Sequence, residues 1–147
     1  MKIFVDASLD EKKGVAGVGI YIMRGASNRT ISQWYKTNDV NEAELWGIYQ
    51  AAILGHGKDC TIYTDSQTAL AYVNQEVKDK PRTFEQHLRH KRMELLAYKV
   101  RKLKPRIEWT KGHCRYFQEL PIGNQIADSL AKQGRAKYYA QNPHKTR

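Results

Sequence analysis

Four acidic residues stand in contexts that phosphodiester chemistry would use. They are Asp6 in IFVDAS, Glu44 in NEAELWGI, Asp65 in IYTDSQTAL and Asp128 in GNQIADSLA. Asp6 and Asp65 come at the ends of apolar runs with strand character, and Glu44 and Asp128 fall on segments of helical period. In open α/β sheets, active sites collect where strands end, so carboxylates from neighbouring strands and from the helices beside them can converge. Like charges at short range raise one another's pKa, and hard divalent cations resolve that conflict. Mg²⁺ prefers oxygen ligands and keeps several waters, which suits a few carboxylates plus a substrate phosphate. Two such ions roughly 4 Å apart can activate a water and stabilise a leaving oxygen. The expected cofactor is therefore Mg²⁺, two ions, with Mn²⁺ as a substitute.

Each acid also has a plainer reading. Asn41 is a good N-cap, and Glu44 three residues later would complete a capping box. Asp65 or Ser66 can cap the helix that follows. Asp128 can be an exposed helical residue. Asp6 resists such a reading, because it interrupts an apolar strand and buried acids are rare unless paired or metal-bound. His113, in WTKGHCR, has a side chain that titrates near neutrality and can pass a proton. Cys114 beside it has no second Cys/His pair at zinc spacing, and no phosphate loop of the Gly-rich P-loop type is present.

The elements that must position these residues follow from periodicity and turn chemistry. Residues 2–8, 14–23 and 29–36 read as three strands, with Gly25, Ser27 and Asn28 at a hairpin turn. Residues 42–55 recur at helical spacing, 60–64 form a short strand and about 66–75 a helix. Residues 83–103 form a long helix with a stripe at Phe84, Leu88, Leu95, Leu96, Val100 and Leu103, ended by Pro105. Residues 106–110 form a fifth strand, and Pro121 suits the first turn of a last helix over about 121–139. The order βββαβααβα predicts an α/β fold: a five-stranded mixed sheet with helices packed on it. Residues 1–140 are expected to form one domain, and 141–147 a basic, frayed tail.

The chain has 147 residues and a net charge of +10, with 41% hydrophobic residues, as expected of a globular domain. Between Glu76 and Arg106 there are eleven Lys or Arg against four Asp or Glu, so this stretch carries +7 of the excess. Such a concentration points to a polyanion, most often nucleic acid, or else to a solvated helix face. No apolar run is long enough for a membrane span. The opening MKIFVDAS passes straight into a strand rather than a signal peptide. Two cysteines, Cys60 and Cys114, suggest no disulfide framework, so the expected setting is the cytoplasm.

Taken together, VDAS, the AEL opening the first helix, YTDSQ, WTKGH and GNQIAD resemble type 1 ribonuclease H, the enzyme that cuts the RNA strand of RNA–DNA hybrids. The pieces occur in the family's order over nearly the whole chain. The resemblance implies the ribonuclease H fold, with helices on both faces of the sheet. It also implies that Asp6 bridges two metal ions, that Glu44 and Asp65 hold one, and that Asp128 holds the other. His113 would assist proton transfer or product release. Glu44 would lie near the RNA 2′-hydroxyl, and Ser8, Asn41, Gln67 and Asn124 match substrate-binding positions. Lys91, Arg92, Lys99, Arg101 and Lys102 on the long helix would hold phosphates and make binding salt-dependent. The stretch from His113 to Asp128 is longer than usual in the family, through the insert CRYFQELP. Thr37, Asn38 and Asp39 fit its phosphate-gripping segment poorly, since an aspartate repels phosphate.

The implied activity is metal-dependent endoribonucleolytic cleavage of hybrids by a monomer, leaving a 5′-phosphate and a 3′-hydroxyl. Two alternatives are a DNA-directed nuclease of the same fold and a non-catalytic hybrid-binding module. A third origin is a domain excised from a reverse transcriptase.

Overall fold

A computed structural model describes residues 1–110 and 119–143. The elements, in chain order, are β1 (Lys2–Asp10), β2 (Val15–Arg24), β3 (Ser27–Lys36), α1 (Val40–Gly55), β4 (Thr61–Thr64), α2 (Gln67–Val73), α3 (Phe84–Leu103), β5 (Arg106–Trp109) and α4 (Glu119–Gln141). They form one five-stranded mixed sheet, as the element order led us to expect, and its strand order is β3-β2-β1-β4-β5. β1 runs antiparallel to β2 and parallel to β4, so the strand that carries Asp6 is the central one. The first hairpin is longer than its sequence suggests, because β1 keeps pairing with β2 as far as Asp10 opposite Val15. The second turns in two residues between Arg24 and Ser27, with Gly25 at φ 58°, a conformation that favours glycine.

Alternation along β1 assigns its two faces. Ile3 and Val5 join a core with Val18, Ile20, Ala43 and Ala51 under α1. Phe4 points the other way, into a cluster with Tyr21, Tyr63, Ala127 and Leu130 under α4. Phe4 and Tyr63 stack with ring centroids 5.1 Å apart, an arrangement that adds about 0.5–1.5 kcal/mol beyond area burial. Asp6 continues the Phe4 face, where α4 lies.

On that face α4 sits almost in backbone contact with the sheet. A Cβ on Gly17 would lie 1.7 Å from the Ala131 carbonyl oxygen, and one on Gly134 would lie 2.0 Å from that of Gln33. Gly17, in the glycine-rich stretch GVAGVGIYIM, and Gly134, on α4 itself, decide how close the helix comes. The far end of α4 is held by Trp34 Nε1 donating to Gln141 Oε1 at 3.0 Å and by the Tyr139 hydroxyl donating to Asp10. Gln141 thus falls in the helix rather than beyond it.

Two local expectations are corrected. The cap of α1 is Asp39, not Asn41: its Oδ1 accepts from the backbone N–H groups of Asn41 at 2.7 Å and Glu42 at 3.1 Å. The helix starts two residues earlier than its apolar period shows, so Glu44 completes no capping box. The stripe on α3 is also rotated. Met93, Leu96, Ala97 and Val100 are buried, whereas Phe84, Leu88 and Leu95 are exposed. In a helix with so many apolar residues, the face that packs is set by α1 and α2, and small Ala97 lets the helices approach. For α2 the cap is Ser66, whose Oγ accepts from Ala69 N at 3.0 Å. Among the described residues no helix is long and apolar enough to cross a membrane.

Candidate metal-binding active site

β1 and β4 pair from Lys2–Thr61 to Phe4–Tyr63 and then separate. Two residues beyond that last pair stand Asp6 and Asp65, one on each side of the opening. α1 crosses the same end of the sheet and delivers Glu44. Carboxylate oxygens of Asp6, Glu44 and Asp65 all lie within 4.8 Å of one another. The three come from different elements, and the parallel pairing of β1 and β4 brings their strand ends to the same edge.

Glu44 is buried and Asp65 exposed, with Asp6 between them. The Ala7 N–H donates to Glu44 Oε1 at 2.7 Å and to Asp6 Oδ1 at 2.9 Å, so one amide ties the two carboxylates together. The Thr64 hydroxyl donates to Glu44 Oε2 at 3.3 Å. Behind Asp65, Trp109 Nε1 donates to its backbone carbonyl at 3.2 Å and anchors the strand end.

Electrostatically the cluster is frustrated. Burial pushes the Asp6 carboxyl up from an ordinary 3.8 to about 7, and the charges of Asp65 and Asp128 add to this against the hydrogen bonds with Glu44 and Ala7. Burial, then the charge of Asp6, raises Glu44 well above the ordinary carboxylate value. Without a cation, the pair retains a proton near neutral pH. Oxygen donors of this kind, desolvated and held together by one amide, suit a hard divalent cation.

Asp128 lines a cavity of about 440 Å³ with Asp6, Asp65 and Asn124. It lies outside the tight trio and pairs with Lys132 one turn later, at 3.2 Å. Lys132, which lines the same cavity, was legible as an i,i+4 partner of Asp128 but was not singled out. Asn124 is buried, and its Nδ2 has no hydrogen-bond partner among the described residues. An amide left so at a polar cavity is costly unless something fills it.

Ser8 shares the Asp6 face of β1, two residues on. Asn41 Oδ1 accepts the Ser66 hydroxyl at 2.9 Å, which joins the start of α1 to the start of α2. Gln67 is exposed at the first position of α2. His113 lies outside the described residues.

The basic residues of α3 are less uniform than their sequence suggests. Lys91 is exposed. Arg92 is engaged by Glu42, and Arg101 Nη1 donates to the carbonyls of Tyr72 and Val73 at 3.2 and 3.3 Å. Lys99 and Lys102 lie over the rings of Tyr49 and Tyr98. Asp39, an unfavourable residue for phosphate, is occupied by its cap and by Arg89 at 3.2 Å.

Solved structures share this architecture. RNase H1 from the halophilic archaeon Halobacterium salinarum NRC-1 superposes with TM-score 0.68 at 16% identity, covering 92% of this chain and 97% of that one. The N-terminal RNase H domain of rv2228c from Mycobacterium tuberculosis, solved as a fusion with maltose binding protein, gives 0.63 at 20% identity, covering 97% and 98%. LC11-RNase H1, isolated from compost, was solved in complex with an RNA/DNA hybrid and gives 0.61 at 16%, covering 93% and 97%. No curated protein matches the chain. At these identities the structures speak for the fold alone, but the sequence itself matches the family model described as RNase H over residues 1–136, and the chain belongs to that family.

Proposed function

We propose that the chain is a divalent-metal-dependent endoribonuclease that hydrolyses the RNA strand of RNA–DNA hybrids and leaves a 5′-phosphate and a 3′-hydroxyl. The observation that carries this reading is the meeting of Asp6, Glu44 and Asp65 within 4.8 Å at the end of the central strands of an RNase H fold. A hybrid complex of a structural neighbour adds support for the substrate class.

In this reading Asp6, Glu44 and Asp65 hold one cation, and Asp6 with Asp128 a second. Mg²⁺ is the proposed occupant, with Mn²⁺ as a substitute. Bound there, such ions supply Lewis acidity for the attacking water and the departing oxygen. The chain's own contribution is orientation. Ala7 N–H fixes the carboxylate oxygens of Asp6 and Glu44, and Thr64 fixes the other oxygen of Glu44. Asn124, whose Nδ2 has no partner among the described residues, is proposed to donate to a substrate oxygen at the cavity wall. Asn41, Gln67 and Ser8 are proposed to read the minor groove, where the 2′-hydroxyl distinguishes RNA from DNA. His113 is proposed to assist proton transfer at the leaving group. A cytoplasmic monomer is part of the same proposal.

One labelled 20-mer sequence, offered as hybrid, duplex RNA, duplex DNA and single-stranded RNA, tests it with Mg²⁺, Mn²⁺ and chelator. Cleavage confined to the RNA strand of the hybrid and abolished by chelator is expected. Binding without cleavage in either metal would make the chain a non-catalytic module, and cut DNA would move it to a DNA-directed branch of the fold.

A further inference from the structure

Glu42 lies two residues before Glu44 in the first turn of α1 and is only 1% exposed. Both of its oxygens are filled. Oε1 accepts from the Thr37 hydroxyl at 3.0 Å and from Arg92 Nη2 at 2.9 Å. Oε2 accepts from the Tyr35 hydroxyl at 2.8 Å and from Arg92 Nε at 3.2 Å. The Arg92 fork is bidentate, which fixes orientation as well as contact. The bidentate guanidinium and two hydroxyls give the buried carboxylate a complete set of donors.

Three parts of the chain meet on this carboxylate: the end of β3 through Tyr35, the β3–α1 connection through Thr37, and α3 through Arg92. Residues two apart on a helix point about 200° from each other. The network therefore grips α1 from the side opposite Glu44, at the same turn. A buried ion pair is seldom more stabilising than an apolar contact of the same volume, and fixing a unique arrangement is its better-supported use. The guanidinium is half exposed and the carboxylate buried, so pulling Arg92 away would leave Glu42 buried without its fork, which is strongly unfavourable.

We infer that Arg92 is a positioning residue: through Glu42 it fixes the first turn of α1 and so sets the Glu44 carboxylate against the Ala7 amide and beside Asp6 and Asp65. The consequence for metal binding rests on the functional reading above, whereas the placement of Glu44 does not. This role stands beside the expectation that Arg92 meets phosphate, because only its Nε and Nη2 face Glu42 and the side chain is 53% exposed.

Hydrogen exchange at the Ala7 amide and Mn²⁺ titration calorimetry on the full chain test it together. In Arg92→Met, the Ala7 amide should exchange about tenfold faster while the Ile20 amide, in the middle of β2, exchanges as in the wild type. Mn²⁺ affinity should fall by about tenfold, the scale seen when outer partners of metal ligands are removed. Arg92→Lys, which keeps the charge without the fork, should fall between. Glu42→Gln combined with Arg92→Met should recover part of both losses, because no buried charge is then left alone. If Arg92→Met does not fold, Tyr35→Phe reads the same network from its other side, with about two- to threefold effects. An unchanged Ala7 rate in a folded variant would overturn the inference, above all if hybrid affinity and its salt slope fell instead. Equal acceleration at Ile20 would also overturn it, since that is global destabilisation. A wild-type chain that binds no Mn²⁺ would sink the metal reading, and the Ala7 rates would still decide the role of Arg92.

Discussion

A Cβ added to Gly19 would lie 2.1 Å from the carbonyl oxygen of Ala127. Gly19 pairs with Asp6 across the β1–β2 ladder, and Ala127 precedes Asp128 on α4. One backbone contact therefore sets the separation between the two sides of the acidic cavity. Because the obstructing atom is backbone, it cannot swing away as a side chain would. Gly19→Ala is expected to lower stability by about 1–3 kcal/mol, the usual range for overpacking, read as a shift of the urea midpoint at unchanged slope. Cleavage by the folded fraction should fall as well, since α4 must carry Asp128 outward.

Asp6→Asn is expected to reduce hybrid cleavage to the level seen with chelator, while hybrid binding stays intact or tightens as negative charge leaves the site. Gel-shift and cleavage assays on the same hybrid separate the two. Wild-type turnover by this variant would disprove the assigned metal site.

The raised Asp6 carboxyl makes stability depend on pH. Its folded value of about 7 exceeds its ordinary 3.8, so the folded state holds a proton that the unfolded chain releases. That contribution is complete below the ordinary value and is lost as pH rises through about 7. Glu44 is raised as well and acts in the same sense. In chelator, the thermal midpoint should therefore fall by a few degrees between about pH 5 and about pH 8. Saturating Mg²⁺ should restore it at the upper end, where the ligands are deprotonated. A flat profile in chelator, or the same fall in Asp6→Asn, would show that the cluster does not govern it.

Asp39→Ala removes the cap of α1 and its pairing with Arg89. It should cost about 1 kcal/mol, whereas Asn41→Ala should leave the cap untouched. Denaturant titration of the two variants distinguishes the structural assignment from the one that periodicity alone suggested.

Among the basic residues of α3, Lys91 is expected to answer to salt and Arg101 to stability. Lys91→Ala should weaken hybrid binding and reduce the slope of affinity against salt by about one. Arg101→Ala removes the side-chain donor to the carbonyls of Tyr72 and Val73, of which Tyr72 keeps the Gln75 N–H, and should cost about 1 kcal/mol in unfolding. Matching salt slopes in Lys91→Ala and wild type would mean that this face of α3 does not meet the polyanion.

The sequence by itself determined the element order and the candidate acids, because alternation, helical period and turn residues act over a few neighbours. It supplied the charge of α3 as well, but not its use. Only the tertiary structure decided which face of α3 packs, since Phe84, Leu88 and Leu95 are as apolar as Leu96 and Val100 and only the neighbouring helices choose between them. It decided that Arg92, fifty positions along the chain, pairs with the buried carboxylate of Glu42. It also decided that Asp6, Glu44 and Asp65 share one edge while Asp128 stands off beside Lys132. Local sequence governs backbone preference, but the energy of a buried charge depends on which distant groups surround it, and that is known only once the chain has closed.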